Sequence, residues 1–213
     1  MSDGPTIYAS ESLPVYLDDT ASNKPAPGGG SVSACVGALG AALVSMVCNL
    51  TRGREQFAGV EDEILRTVEA SEAARASLQQ LLQDDTTAYS GVLDAYRLPK
   101  QTPEEQAARS AAVQAGLIVA ANVPLEICRV ALEVCRLAKP AAELGNANAV
   151  TDAGIGAILG EAAVAGAALN VKINLGSIKD QAYVQKAAAE IEAIQVEAAA
   201  LRAEVLAITL AKL

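Results

Sequence analysis

Apolar positions along this chain fall into helical patterns, and the most extreme pattern comes early. From Pro25 to Thr51 there is no charged residue in 27 consecutive positions. Small residues recur there four apart, at Ser33, Gly37, Ala41 and Ser45. That spacing aligns them on one helical face and lets another helix approach closely. It predicts a helix over about 31–51. A run of this length is long enough to span a bilayer. However, Ser31, Ser33, Ser45 and Asn49 interrupt it, and no basic cluster or aromatic belt flanks it. A helix apolar all round belongs inside a fold, so the expectation is a buried central helix and no membrane partner.

The remaining periodicity predicts helices over about 10–22, 60–96, 103–137, 152–170 and 180–213. Thr102 followed by Pro103 reads as an N-cap and first helical position. Pro124 predicts a kink in the fourth helix. Thr151 or Asp152 is expected to cap the fifth. The last helix carries Val184, Ala187, Ile191, Ile194, Ala198, Leu201, Val205 and Ile208 in a three-four spacing. Such a stripe serves either a bundle or a dimer seam. No run of alternating β-branched residues marks a strand. The expected fold is therefore all-α, one compact multi-helix bundle around the small-residue helix, as a single domain over 1–213.

Composition narrows the chemistry. Aromatic residues make up only 3% of the chain, so the core must be built from Ala, Val, Leu and Ile. The net charge of −9 argues against a nucleic-acid partner. The four cysteines show no C-x-x-C spacing, and Cys128 and Cys135 read as small apolar core residues. With no secretory leader legible, a reducing cytoplasm is the expected compartment. There is no histidine at all. Histidine-based triads are thereby excluded, and the commonest zinc ligand is missing. No metal is expected. Acid–base chemistry must come from Asp, Glu, Lys, Tyr or Cys.

Three places break the helical pattern. The stripe Leu78, Leu82, Asp85, Tyr89, Val92, Tyr96 contains one carboxylate among apolar and aromatic residues. A carboxylate on a core face is costly unless paired, and functional sites collect such groups. Its neighbour Asp84 points about 100° further round the helix. Glu161 is the only charge between Asp152 and Lys172. It suits either a site or a structural ion pair. Asn170 and Asn174 stand four apart with Lys172 between them, placed to hold a polar ligand or to satisfy backbone at a helix end. The glycines Gly28, Gly29 and Gly30 lack the residues of a Walker or Rossmann loop. They read as a loop entering a helix, with Ser31 as its N-cap and the N-terminus free to receive an anion.

Six segments occur in order: "PAPGGGSVSA…GALGAALVSMVCNLT", "DDTTAY", "LPKQTPEE", "VPLEI", "GNANAVTDAG" and "AALNVKINL". Together they resemble the cyclodeaminase family of folate enzymes, the C-terminal half of formiminotransferase–cyclodeaminase and its free-standing bacterial relatives. The resemblance runs from about Ser12 to Lys179. It implies an all-α homodimer with a folate cleft near the glycine loop and a catalytic aspartate at Asp85, with Asp84 beside it. Candidate folate contacts on the matching segments are Gly28, Gly29, Gly30, Ser31, Tyr89, Asn146, Asn148, Asp152, Asn170, Lys172 and Asn174, with Glu161 between two of those segments. Arg54 and Lys100 are candidates for the anionic glutamate tail, and Tyr89 for stacking on the pterin. The folate is substrate, and no cofactor is expected. With no formiminotransferase domain in the sequence, a methenyltetrahydrofolate cyclohydrolase is favoured. The alternatives are formiminotetrahydrofolate cyclodeaminase or an inactive helical scaffold.

Overall fold

A computed structural model of the chain describes residues 6–213. Six α-helices follow one another: α1 (Leu13–Thr20), α2 (Gly29–Asn49), α3 (Glu61–Arg97), α4 (Pro103–Leu144), α5 (Val150–Leu175) and α6 (Gln181–Ala211). Short 3₁₀ turns occupy Tyr8–Ser10, Glu55–Val60 and Ala147–Ala149. Among the described residues there is no strand, so the fold is all-α.

Local chemistry sets several of the ends. Thr102 and Glu105 form a capping box with Pro103 in the first turn of α4. Asp180 caps α6, its carboxylate accepting from the N–H groups of Ala182 and Tyr183. Elsewhere the ends differ from the sequence pattern. Ser31 is not a cap: Gly28 holds that position and Ser31 lies inside the first turn of α2. Neither Thr151 nor Asp152 caps α5, which starts after Ala149 with both residues in its first turn. Helix α4 runs 42 residues, continuing past Leu137 to Leu144 with Pro124 and Pro140 inside it. An internal proline costs about 3 kcal/mol. Here the surrounding turns are buried against α5 and α6, and that packing outweighs the lost hydrogen bond. Helix α5 likewise continues past Asn170 to Leu175, so Asn170, Lys172 and Asn174 are helical.

Helix α2 is the centre. It packs against α3, α4 and α5, and Ser33, Gly37, Ala41 and Ser45 are all buried. At the crossing with α5 the two backbones nearly touch. A Cβ on Gly40 would lie 3.0 Å from the carbonyl oxygen of Gly156, and one on Gly156 would lie 3.2 Å from that of Gly40. The pairs Ser33–Gly166, Gly37–Ala163 and Gly40–Gly156 run in opposite directions, so α2 and α5 are antiparallel. The buried hydroxyls are satisfied: Ser45 and Ser71 bond at 2.7 Å between α2 and α3. By length and composition alone α2, α4 and α5 could each cross a membrane. In the fold, 61% of the apolar window of α2 is buried in the bundle, so most of its apolarity is spent internally. Cys128 and Cys135 are fully buried core residues on α4.

The stripe of α6 faces its own chain. Ala187, Ile191, Ile194, Ala198 and Val205 are buried, with Val184, Leu201 and Ile208 packed beside them. The stripe is thus a bundle face rather than a dimer seam. Along its edge, Glu190, Glu197 and Glu204 meet Arg129, Arg136 and Lys139 of α4 at 2.6, 2.8 and 2.9 Å. These pairs advance together, so α4 and α6 are parallel.

The glycine crossing makes a sign prediction. Gly→Ala in a helix interior gains about 1 kcal/mol from propensity. At Gly40 the new methyl meets backbone, and overpacking costs about 1–3 kcal/mol. Gly40→Ala should therefore lower the urea midpoint. Gly91→Ala, with nothing within 4 Å of the new methyl, should raise it. Equal shifts in the two variants would refute the close crossing.

Candidate active site

A cavity of about 380 Å³ opens where the N-terminus of α2 meets α3, α4 and α5. Its polar lining comes from the backbone of Gly28 and Gly29 and the side chains of Asp85, Thr86, Tyr89, Asn170, Asn174 and Ser177. The size is within the usual range for small-molecule sites.

Asp85 is the centre of it. Its Oδ2 accepts a 2.9 Å hydrogen bond from the Ser31 N–H in the first turn of α2. That N–H has no partner within its own helix, because first-turn amides never do. A carboxylate from α3 therefore caps α2 across the chain. The contact demands glycine. A Cβ on Gly30 would lie 2.1 Å from Asp85 Oδ1, and one on Gly29 would lie 3.2 Å from the Asn170 amide nitrogen. The glycine loop is thus a docking surface for one acid and one amide.

Burial pushes the Asp85 carboxyl above the ordinary carboxylate range, and the Ser31 N–H pulls the other way. No cation contributes. Asp84 bonds Gln80 at 2.8 Å and faces a separate groove beside Gly91 and Gly116. Tyr89 stands at the cavity mouth, exposed. The two asparagines are oriented by backbone. Asn174 Nδ2 donates to the carbonyls of Ala120 and Asn170, at 2.8 and 2.9 Å. Asn170 Nδ2 donates to the Gly166 carbonyl at 3.0 Å. Each amide has its nitrogen engaged in this way, and Asn174 spends both of its hydrogens, which leaves its oxygen as the free polar atom. Asp85 and the Asn174 oxygen are acceptors in the cavity, suited to a ligand that donates hydrogen bonds or carries positive charge, and the hydroxyls of Thr86, Tyr89 and Ser177 stand beside them.

Other candidates stand elsewhere. Arg54, Asn146 and Asn148 are at the opposite end of α2, roughly 30 Å from its glycines by helical rise. Asn146 braces the α4–α5 turn there, its N–H donating to Thr51 and its oxygen accepting from Asn148 N–H. Asp152 shares that end, in the first turn of antiparallel α5. Lys100 is exposed in the loop beyond the far end of α3. Lys172 is exposed and reaches Gln195 of α6. Glu161 lies 3.9 Å from Arg202, an ion pair between α5 and α6. Ser31 is fully buried behind Asp85 and does not line the cavity. Among the described residues no Lys or Arg lines it either. Thr86 and Ile173 do line it without having broken the periodic pattern. Thr86 directly follows Asp85 in "DDTTAY", which is the one local sign of it.

The description of formiminotransferase-cyclodeaminase matches residues 12–193. The chain belongs to the formiminotransferase-cyclodeaminase family. It is 42% identical over 195 residues to the methenyltetrahydrofolate cyclohydrolase of Methylorubrum extorquens, covering 92% of this chain and 94% of that one. It is 37% identical over 187 residues to the formimidoyltransferase-cyclodeaminase of Rattus norvegicus, spanning 88% of this chain but 35% of that longer protein. The crystal structure of formiminotetrahydrofolate cyclodeaminase from Thermotoga maritima superposes with a TM-score of 0.86 at 32% identity, covering 96% of this chain and 98% of that one. Both the resemblance and the all-α expectation are met. In this member of the family, the segments "PAPGGGSVSA", "DDTTAY" and "AALNVKINL" converge on one cavity, whereas "GNANAVTDAG" starts at the opposite end of α2.

A raised carboxyl pKa has a definite consequence for stability. Because the folded state holds the Asp85 proton more tightly than the unfolded chain, stability falls as pH rises from the unfolded value, about 3.9, through the raised folded value. Above that window the charged carboxylate is a net cost. Asp85→Asn should therefore raise the urea midpoint at pH 7, with a smaller gain near pH 3. A lower midpoint at pH 7 would mean that the α2 N-terminus stabilises the charge by more than burial penalises it.

Proposed function

We propose that the protein is a methenyltetrahydrofolate cyclohydrolase, with Asp85 as its base. The observation that carries this reading is a partly buried carboxylate, with no cation beside it, at the head of α2 in the cavity. The 42% identity to a cyclohydrolase of nearly the same length favours hydrolysis. Formiminotetrahydrofolate cyclodeaminase is the second reading, supported by the Thermotoga maritima relative.

The substrate bears an amidinium cation whose carbon bridges N5 and N10. A water oxygen bonds to that carbon while Asp85 takes one of its protons. The C–N5 bond then breaks and N5 takes a proton. The remaining hydroxyl proton leaves as the carbonyl forms, giving 10-formyltetrahydrofolate, and one proton passes to solvent. A carboxylate with no partner cation suits both roles: it attracts the cationic substrate, and its raised basicity favours proton uptake. Asn170 and Asn174 offer oxygens to the N–H groups of the pterin, and Tyr89 offers its ring. In the second reading N10 attacks the formimino carbon and ammonia leaves, and the same carboxylate moves the proton. No cofactor takes part, and four free thiols suit the reducing cytoplasm where we place the reaction.

The working unit in this reading is a homodimer. Leu39 and Met46 of α2 and Ile155, Ile158, Leu169 and Ile173 of α5 are exposed. Helical periodicity puts them on one side of the α2–α5 pair. Exposed apolar patches of this kind mark interfaces. Ile173 also lines the cavity, so a partner seated there would cover its mouth.

Two assays run together test the activity: loss of methenyltetrahydrofolate absorbance, corrected for spontaneous hydrolysis, and ammonia release from 5-formiminotetrahydrofolate. The first should respond to the protein far more than the second. Asp85→Asn should cut kcat by about 10²–10⁴-fold, the usual cost of losing a general base. Asp84→Asn should stay within about threefold of wild type, since its carboxylate faces another groove. An active Asp85→Asn beside an inactive Asp84→Asn would reverse the assignment. Light scattering should give about twice the chain mass, and Leu39→Glu with Ile158→Glu should halve it. A fully active wild-type monomer would remove the dimer from the reading.

A further inference from the structure

We propose that Tyr16 is a positioning residue for Asp85, acting through Ser31; this rests on the reading of Asp85 as the base. Tyr16 belongs to α1 and is only 6% exposed. Its hydroxyl lies 2.9 Å from Ser31 Oγ, and Ser31 is fully buried. The N–H of the same Ser31 donates to Asp85. Three elements are thereby joined in one line of hydrogen bonds: α1, the first turn of α2, and α3.

The glycines explain why that line matters. Gly28, Gly29 and Gly30 give the start of α2 no side chain with which to anchor itself. Glycine also leaves the backbone its greatest freedom. Ser31 is the first residue of the helix with a side chain, and among the described residues the one side-chain partner of its hydroxyl is Tyr16. Without that bond, the serine hydroxyl is free to turn onto nearby backbone carbonyls, as serines at helix starts do. The turn whose N–H meets Asp85 then loses its tether.

Tyr16 itself is firmly held. Its ring stands edge-on to Tyr8, with centroids 5.7 Å apart. Tyr8 is fixed by Gln83 of α3 and by Asp19 of α1. Burial pushes the Tyr16 hydroxyl up to about 12, so it stays neutral and acts only through hydrogen bonding. A phenylalanine would pack equally well in an apolar site; burying the two hydroxyls is costly unless they bond each other.

Few titratable groups surround Asp85. Tyr16 faces it from α1, and Tyr89 shares the cavity from α3, where Asp84 turns away. The first turn of α2 has none, α4 presents Ala120, and α5 presents the neutral Asn170 and Asn174. The acidic limb of the rate profile should therefore report Asp85 directly.

The test uses the full chain carrying Tyr16→Phe, Ser31→Ala, or both, with 5,10-methenyltetrahydrofolate as substrate. Losing the tether weakens a bond that favours the charged carboxylate, so Asp85 protonates at higher pH. Each single variant should lower kcat by about tenfold, less than the roughly 10²–10⁴-fold cost of losing the base itself, because the base remains and only its placement is loosened. The acidic limb should move to higher pH, with KM within about twofold because no substrate contact is lost. The double variant should be no worse than either single, since both cut the same line. Ser31→Thr, which keeps a hydroxyl, should restore the profile. An unmoved acidic limb in folded Tyr16→Phe overturns the proposal, and Ser31→Ala decides in the same way if Tyr16→Phe does not fold. A rise in KM with unchanged kcat also overturns it. Full activity of Asp85→Asn overturns the base assignment and this proposal together. An inactive Asp85→Asn beside an unmoved Tyr16→Phe profile overturns this proposal alone.

Discussion

Everything in this fold is spaced by the contact of α2 with α5. Where Gly40 faces Gly156, a methyl on either helix would press on the backbone of the other. Close backbone approach replaces the side-chain interdigitation that usually separates helices by 8–10 Å. It also explains a core with so few aromatics. Small residues bring the helices together, and Val, Leu and Ile on α3 and α4 fill the remaining space. The antiparallel sense of the pair then brings the C-terminal part of α5, with Asn170 and Asn174, to the glycine end of α2.

The same device recurs at the cavity in another form. At the crossing, glycine admits backbone; at the head of α2 it admits a carboxylate. Gly30 allows Asp85 to sit against first-turn amides that need an acceptor. The carboxylate is held in place by one N–H, and burial with no cation keeps it basic. In the proposed reading such an arrangement costs stability and supplies reactivity, which is the usual trade at working sites. The structural load is carried elsewhere, by the internal stripe of α6 and its ionic edge against α4.

The cavity is assembled from distant parts of the chain. Its loop precedes α2, its acid is on α3, and its amides are on α5. Asn174 spends both amide hydrogens on backbone carbonyls and presents its oxygen, while Asn170 spends one, and Asp85 adds its carboxylate. That polarity fits a folate whose reacting carbon is cationic, and it leaves the anionic tail to be met by groups outside the lining described here.

The sequence by itself determined the helical class, the central place of α2 and the oddity of Asp85. Each is a matter of period: which residues share a face follows from spacing alone, and a carboxylate among Leu78, Leu82 and Val92 stands out without coordinates. The Thr102–Pro103 start was legible for the same local reason. Only the tertiary structure decided which other polar residues join Asp85. Asn170 and Asn174 come to it while Asn146 and Asn148 do not, because antiparallel packing sends the two ends of α5 to opposite ends of α2. Glu161 finds Arg202, and the α6 stripe finds its own bundle, through partners far away in sequence. The passage of α4 through Pro124 belongs here too, since packing overrides a local cost. Ser31 shows the limit most clearly. Its local sequence makes it a good cap, but Asp85 of α3 takes its N–H and Tyr16 of α1 takes its hydroxyl, and no periodicity in one helix reports what two others bring to it.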